Sequence, residues 1–130
     1  MTGGKNILVI DDDIVLTRII KQYLEDNGFF VTSYPNAQEA ISRLGSLIPD
    51  IILLDLEMPI IGGHEATLLF RMNPNTRDIP IIMVTGRSRD IDRNKSKMMG
   101  ANDYITKPFS LEILLQKIKQ YLKNIKNDTQ

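Results

Sequence analysis

Apolar residues fall along this 130-residue chain in two alternating rhythms. Ile7–Ile10, Ile51–Leu54 and Ile81–Val84 are short continuous runs, the pattern of strands buried on both faces of a parallel sheet. Phe30–Tyr34 and Asp103–Ile105 are more polar and complete a set of five strands. Between the runs the apolar period lengthens to that of a helix. Val15, Leu16, Ile19, Ile20, Tyr23 and Leu24 form one stripe, closed by Gly28. Asn36 with Glu39 reads as a capping box opening a helix to about Leu47, with Ala37, Ala40, Ile41 and Leu44 inward. Pro59 to Gly63 is a loop, a third helix is expected over Glu65–Arg71, and Asn73–Asp78 is a polar connection. Arg87–Met99 is the least periodic helical segment and stops at Gly100. Ser110 caps the last helix, with Leu111, Leu114, Leu115, Ile118, Leu122 and Ile125 on one face. Residues 1–5 are read as a disordered leader, 6–126 as the single domain and 127–130 as a frayed tail.

Strict alternation of strand and helix predicts right-handed crossovers and an α/β fold of three layers, five parallel strands between five helices. In such a sheet all the strands end on one edge, and ligands bind there. Four strands end in a polar group on that edge: Asp11 and Asp12, Asp55, Thr85, and Lys107.

Composition narrows the chemistry. No cysteine is present, which excludes disulfides, thiol catalysis and cysteine-ligated zinc. No apolar leader or run of membrane-spanning length occurs, so a soluble, cytoplasmic protein without a membrane partner is expected. A net charge of zero argues against a dedicated nucleic-acid binder. Its distribution is uneven. Residues 1–65 carry 10 acidic and 4 basic side chains and residues 66–130 carry 6 and 12, hence −6 and +6. An acidic pocket from the early strands and a basic surface from the late helices follow.

Converging carboxylates repel unless a cation intervenes, and oxygen-only donors suit a hard ion such as Mg2+ (or Mn2+). Asp12 and Asp55 are expected as direct ligands, Asp11 through water, and the Glu57 backbone carbonyl as a further oxygen. The bland alternative is helix capping, which one of the three consecutive aspartates satisfies and three exceed. An ammonium (Lys107) and a hydroxyl (Thr85) opposite a metal can bind phosphoryl oxygens, and carboxylates form covalent phosphoryl intermediates. Asp55 is then the acceptor, with Gly86 leaving space beside Thr85 for the incoming group.

The motifs I-L-V-I-D-D-D at 7–13, L-L-D-L-E-M-P-I-I-G-G at 53–63, V-T-G at 84–86 and G-A-N-D-Y-I-T-K-P-F at 100–109 resemble the receiver domains of two-component response regulators, from Asn6 to about Asn124. The resemblance implies the flavodoxin-like, CheY-like sandwich with strand order 2-1-3-4-5. It implies a phosphorelay switch, not a turnover enzyme, that catalyses only its own Mg2+-dependent phosphorylation and slow aspartyl-phosphate hydrolysis. Asp55 corresponds to the phosphoacceptor, Asp11 and Asp12 to the metal-binding pair, Thr85 to the switch hydroxyl, Lys107 to the phosphate-binding lysine and Tyr104 to the switch aromatic. Lys107-Pro108 corresponds to a cis bond. Gly62 departs from the family, which often has aspartate there, and a more flexible loop is expected. By the same resemblance, Glu57 and Arg87 correspond to positions that the family varies to tune dephosphorylation.

The implied donor is a histidine kinase or histidine phosphotransfer protein, touching Ile14 and Pro108. Ile14 stands alone among Arg18, Lys21 and Glu25 on the outer side of the first helix, and an isolated surface isoleucine is its plainer reading. The output face is the Arg87–Met99 helix with Tyr104 and the last helix, rich in Arg89, Arg93, Lys95, Lys97, Lys117 and Lys119. It is expected either to bind an acidic downstream protein or to be simply solvated, and a phosphorylation-dependent homodimer is possible on this reading. His64, the only histidine, is read as an ordinary surface residue without partners. An aspartate-nucleophile phosphatase and a flavin module are the rival readings. The first wants a second aspartate two positions after the nucleophile, where Glu57 stands; the second wants a phosphate loop after the first strand, where three aspartates would repel phosphate. The expected product is a stand-alone receiver or a domain of a larger regulator.

Overall fold

The structure is a computed structural model that describes residues 4–46 and 48–128, with side chains described as far as Lys123. Its elements are β1 (Asn6–Ile10), α1 (Ile14–Asp26), β2 (Phe30–Tyr34), α2 (Ala37–Ser42), β3 (Ile51–Leu54), α3 (Gly63–Met72), β4 (Ile81–Thr85), α4 (Asp90–Met99), β5 (Asp103–Thr106) and α5 (Leu111–Asp128). All strand pairings are parallel and the order is β2-β1-β3-β4-β5, as expected. The expected leader and tail fall largely outside the described residues, as does Leu47; Ile125 lies beyond the described side chains.

Alternation along the central strands divides the core into two layers. Ile7, Val9, Ile51, Leu53, Ile82 and Val84 point to one face and pack under Ile20 and Leu24 of α1 and Leu114 and Ile118 of α5. Leu8, Ile10, Ile52, Leu54, Ile81 and Met83 point to the other, beneath Ala37 and Ala40 of α2 and Ala66 and Phe70 of α3. Among the described residues α4 contributes nothing to either layer. Its two buried side chains are polar, Asp92 and Ser96, one turn apart.

Three helices depart from expectation, one in its buried stripe and two in a boundary. Val15 and Ile19 do not join the buried stripe of α1; they are 69% and 48% exposed, one turn apart on its flank, beyond the arc that the sheet covers. The second helix ends at Ser42, well before Leu47. The Ser42 and Ser46 hydroxyls bond back to the Glu39 and Arg43 carbonyls, competing with helix continuation, and Gly45 lies between them. The α4 helix begins at Asp90, not Arg87, because the Tyr104 hydroxyl takes the Arg87 carbonyl at 2.6 Å. Asn36 and Ser110 cap α2 and α5 as expected.

At the edge of the sheet away from the strand ends, one side chain that sequence patterning passed over joins three segments. Arg71, in the last turn of α3, donates to the carbonyls of Thr76, Arg77 and Ile79, twice to that of Gly100, and to Asn102 Oδ1. Burial lowers its pKa, yet guanidinium stays charged throughout the ordinary range. Gly100 is left-handed (φ 113°), and a Cβ there would lie 2.9 Å from Arg71 Cγ, so both its conformation and its neighbour demand glycine. Replacing Arg71 by methionine keeps much of the stem and strands these acceptors. We expect urea unfolding to show a loss of about 1–3 kcal/mol, the cost of leaving such acceptors unsatisfied; a change under about 0.5 kcal/mol, the range of ordinary surface substitutions, would contradict this role for the fork.

Candidate functional site

Register brings the polar strand ends together. Ile10 pairs with Leu54, and Leu54 with Met83, so Asp11 and Asp55 emerge level from adjacent central strands. The ladder continues one step further, with Asp55 N–H bonded to the Ile10 carbonyl and Lys107 N–H to the Thr85 carbonyl. Asp11 and Asp55 are buried, Thr85 is fully buried and Asp12 is exposed.

The Lys107 ammonium reaches across 96 positions of sequence to Asp11 Oδ2 at 2.8 Å and lies 3.5 Å from Asp55 Oδ2. Burial alone would lower the lysine pKa, but the hydrogen bond and charge of Asp11, with Asp55 behind it, outweigh that and hold the net value up. Asp55 moves the other way for a carboxylate. Desolvation first, then the neighbouring Asp11 charge, raise its pKa; Lys107, the Glu57 N–H and the Thr85 hydroxyl only partly offset them. This is a carboxylate held in its charged form at a cost, short of positive charge.

Oxygens of Asp11, Asp12 and Asp55 lie within 4.8 Å of one another. Three carboxylates and one ammonium leave two negative charges, and the donors are all oxygen, so the set fits a hard divalent cation. Asp13 belongs to a different task. It is the N-cap of α1, accepting from Leu16 N–H at 3.0 Å, while Asp11 Oδ1 accepts from Asp13 N–H. Gly86, expected to leave room, faces open space: a Cβ there would meet nothing within 4 Å.

The loop after β3 is tightly constrained. Ile61 N–H bonds to the Pro59 carbonyl across Ile60, whose φ is +70°, a conformation β-branched residues rarely adopt. Ile60 is nonetheless 79% exposed. Gly62, at the N-cap of α3, has no side chain to cap the helix, and Gly63 instead donates its N–H to the Leu56 carbonyl at 2.9 Å.

Beyond the acids, contacts unsignalled by sequence patterning tie the site to α4. Arg87 lies 3.7 Å from Glu57 and 3.4 Å from Asp92, and its N–H faces Thr85 Oγ1 at 3.4 Å. Arg89 also holds Asp92, and the pKa of Asp92 is lowered by the Arg89 hydrogen bond first, with the charges of Arg89 and Arg87 adding to it against the opposing effect of desolvation. Tyr104 places its hydroxyl on the Arg87 carbonyl and its ring 4.8 Å from the Arg93 guanidinium. Ile14 is 64% exposed, Pro108 is exposed, and the Lys107-Pro108 bond is cis. His64 is not the partnerless residue expected: Nε2 lies 2.8 Å from Ser96 Oγ on α4. Its spacing carries no local signal for that contact, since Ser96 is 32 residues away.

A five-stranded parallel sheet in this order, with two buried aspartates and a lysine meeting at its rim, defines the receiver fold, and the chain belongs to the response regulator receiver domain family, whose pattern it matches over residues 7–119. It is 36% identical over 122 residues to the phosphate regulon transcriptional regulatory protein PhoB of Klebsiella pneumoniae, covering 94% of this chain and 53% of that protein. It therefore spans about half the length of the PhoB regulators it matches. An uncharacterized 14.6 kDa protein of Leptolyngbya boryana is 37% identical, with 89% of this chain and 88% of that protein covered. Among solved structures, a CheY-like receiver domain protein of Methanospirillum hungatei superposes with TM-score 0.89 at 30% identity, covering 96% of this chain and 98% of the other. The receiver domain of the sensor histidine kinase PA1611 of Pseudomonas aeruginosa superposes with TM-score 0.84 at 30% identity over 92% of this chain and 98% of the other; that structure has a magnesium ion coordinated in its active-site cleft.

The closeness of Gly63 to the acid-bearing strand is testable. A Cβ at Gly63 would fall on the Asp55 carbonyl oxygen and 2.7 Å from Leu56 Cα, backbone atoms that cannot give way singly. Gly63→Ala is expected to cost about 1–3 kcal/mol in thermal or urea unfolding, whereas Gly86→Ala, in open space, should leave stability within about 0.5 kcal/mol. Equal effects would refute the packing assigned to Gly63.

Proposed function

We propose that this receiver domain is a phosphorylation-dependent switch in which Asp55 accepts a phosphoryl group from the histidine of a kinase or phosphotransfer protein. The observation that supports it best is the Lys107 ammonium between Asp11 and Asp55, beside a third carboxylate. An Asp55 oxygen attacks phosphorus as the nitrogen–phosphorus bond of the donor breaks. The imidazole leaves with the bonding electron pair, and the product is an aspartyl phosphate. Lys107 then has a phosphoryl oxygen to hold, and the Thr85 hydroxyl gains an acceptor. Asp11, Asp12 and Asp55, with the Glu57 carbonyl, would hold Mg2+, which when bound supplies charge neutralisation for the acids and the transferred group.

The new group carries about −1.5 to −2 charges, against one for the free carboxylate. Thr85 is joined through the Arg87 main chain to Tyr104 and through the Arg87 side chain to Asp92 of α4. A shift of Thr85 toward phosphate is thereby passed to Tyr104 and α4, and the α4–β5–α5 face is the surface read by a downstream protein. Net charge zero and the absence, among the described residues, of any helix long and apolar enough to cross a membrane are consistent with a protein partner. The aspartyl-phosphate switch makes one slow cycle per chain; a phosphatase would turn over a phosphate ester many times.

Incubation with a small acyl-phosphate donor and Mg2+ should add the mass of one phosphoryl group to the intact protein, and Asp55→Asn should abolish it. Retention of the added mass in Asp55→Asn would remove the assignment. The same variant tests the electrostatics. A carboxyl whose native pKa is raised loses stability as pH rises through the native value and stays penalised at neutral pH. Asp55→Asn is therefore expected to be more stable than the parent at pH 7, by on the order of 1 kcal/mol, in metal-free buffer. Mg2+ should raise the melting temperature of the parent by mass action and that of Asp55→Asn much less.

Ile14 and Pro108, both exposed beside this rim, are proposed to touch the donor protein. Ile14→Ala should slow phosphotransfer from a histidine donor several-fold, on the scale of one interface contact, while sparing the small donor. Equal slowing of both would exclude docking as its role.

A further inference from the structure

The α4 helix is held to the rest of the molecule by polar contacts. It adds no side chain to the two core layers among the described residues, and its buried residues are Asp92 and Ser96. Asp92 is secured by Arg87 and Arg89, and Arg93 bonds Thr106 Oγ1 at 2.8 Å. Ser96 is 1% exposed, and its hydroxyl meets His64 Nε2 of α3 at 2.8 Å. On the other flank of this contact lies a cavity of about 720 Å³, bounded by His64, Lys95, Ile91, Arg87 and the loop after β3. Beside this space the helix buries only polar side chains among the described residues, and these bonds satisfy them.

The surroundings of His64 disfavour a charged ring. His64 sits in the first turn of α3, where helix N–H groups point toward added positive charge. Lys95 faces it from α4 and Arg87 from the loop before α4. Asp92 opposes them, but its carboxylate is already paired with two arginines. Asp12, Glu57 and Arg89 border the same cavity, Glu57 paired with Arg87. Glu65 is the neighbour on α3 itself. We propose that His64 is a positioning residue that clasps α4 to α3 while its ring is neutral: the Ser96 hydroxyl can bond either form of the ring, but a charged ring enclosed beside Lys95, Arg87 and the first turn of α3 is disfavoured in the docked state, so that protonation opens the clasp and loosens the helix.

The sign follows from linkage. Burial first, then Lys95, depress the pKa of His64 when α4 is docked; the Asp92 carbonyl and carboxylate only partly restore it. Undocking returns the ring toward its ordinary value of 6.5, so protons bind the undocked form more tightly. Docking is fully supported above 6.5 and weakens as pH falls through the depressed docked value. The clasp lies outside the acid cluster and does not depend on the phosphoryl chemistry. It would make the set-point of the α4 surface acid-sensitive whichever group Asp55 carries.

Because His64 is the chain's only histidine, one titration isolates it. The backbone amide signals of α4 are followed by ¹⁵N NMR in metal-free buffer from about pH 7.5 to pH 5, the window in which imidazole is the ordinary side chain to titrate. The amides of Asp92–Met99 should shift with a common midpoint below 6.5. His64→Gln should abolish that transition, and Ser96→Ala should move the His64 ring midpoint upward toward 6.5. In Asp55→Asn the transition should persist, which separates the clasp from the acid cluster. Amides that do not titrate, a transition that survives His64→Gln, or one that disappears in Asp55→Asn would each overturn the proposal.

Discussion

One ammonium among carboxylates governs the architecture of this molecule. Lys107 contacts Asp11 and Asp55 on the two central strands, and without it two acids would emerge side by side from the core with no counter-charge. The arrangement is under-neutralised even so: the carboxyl of Asp55 stays above its ordinary pKa chiefly through burial, and Asp12 adds a further negative charge at the mouth. A site of this kind stores electrostatic free energy that an arriving divalent cation can release. The apolar runs of β1 and β3 set the two acids level, so the packing of the core fixes the geometry of the acids at its rim.

The two sides of the sheet are not equally firm. The α1 and α5 helices bury Ile20, Leu24, Leu114 and Ile118, and α3 buries Ala66 and Phe70; these helices are fixed by apolar contact. By contrast, α4 is fastened by Asp92, Ser96 and Arg93, each bonded to a side chain of another segment. Apolar burial is non-directional and tolerant of small displacement. Hydrogen bonds and ion pairs are lost over fractions of an ångström and depend on protonation. Of the helices described, α4 is thus the one whose attachment depends most on the geometry and charge of individual side chains.

Strand runs, both serine and asparagine caps, and the convergence of Asp11, Asp55, Thr85 and Lys107 were legible because each is a local pattern or follows from parallel topology. Strand order came through family resemblance, since periodicity does not encode which strands are neighbours. Val15 and Ile19 misled because an apolar stripe records hydrophobicity without recording how wide an arc the sheet covers. The polar attachments of α4 were illegible for a different reason. Ser96, Asp92 and Arg71 have the composition of solvated helix positions, and only the three-dimensional proximity of His64, of Arg87 and Arg89, and of the Gly100 carbonyl gives them partners. His64 read as solvent-facing for the same reason.

Arg71 grips the carbonyl at the C-terminal end of α4 through two donors, next to a left-handed Gly100 that admits no side chain. That end would serve as the pivot for any tilt of the helix. A helix of 10 residues extends about 15 Å, so tilting it by roughly 10° about Gly100 carries the Asp90 end through an arc of about 2–3 Å while the pivot scarcely moves. A rotation about the sheet's far edge would thus concentrate its displacement beside the acids, as a lever does when its fulcrum lies at the end opposite the load.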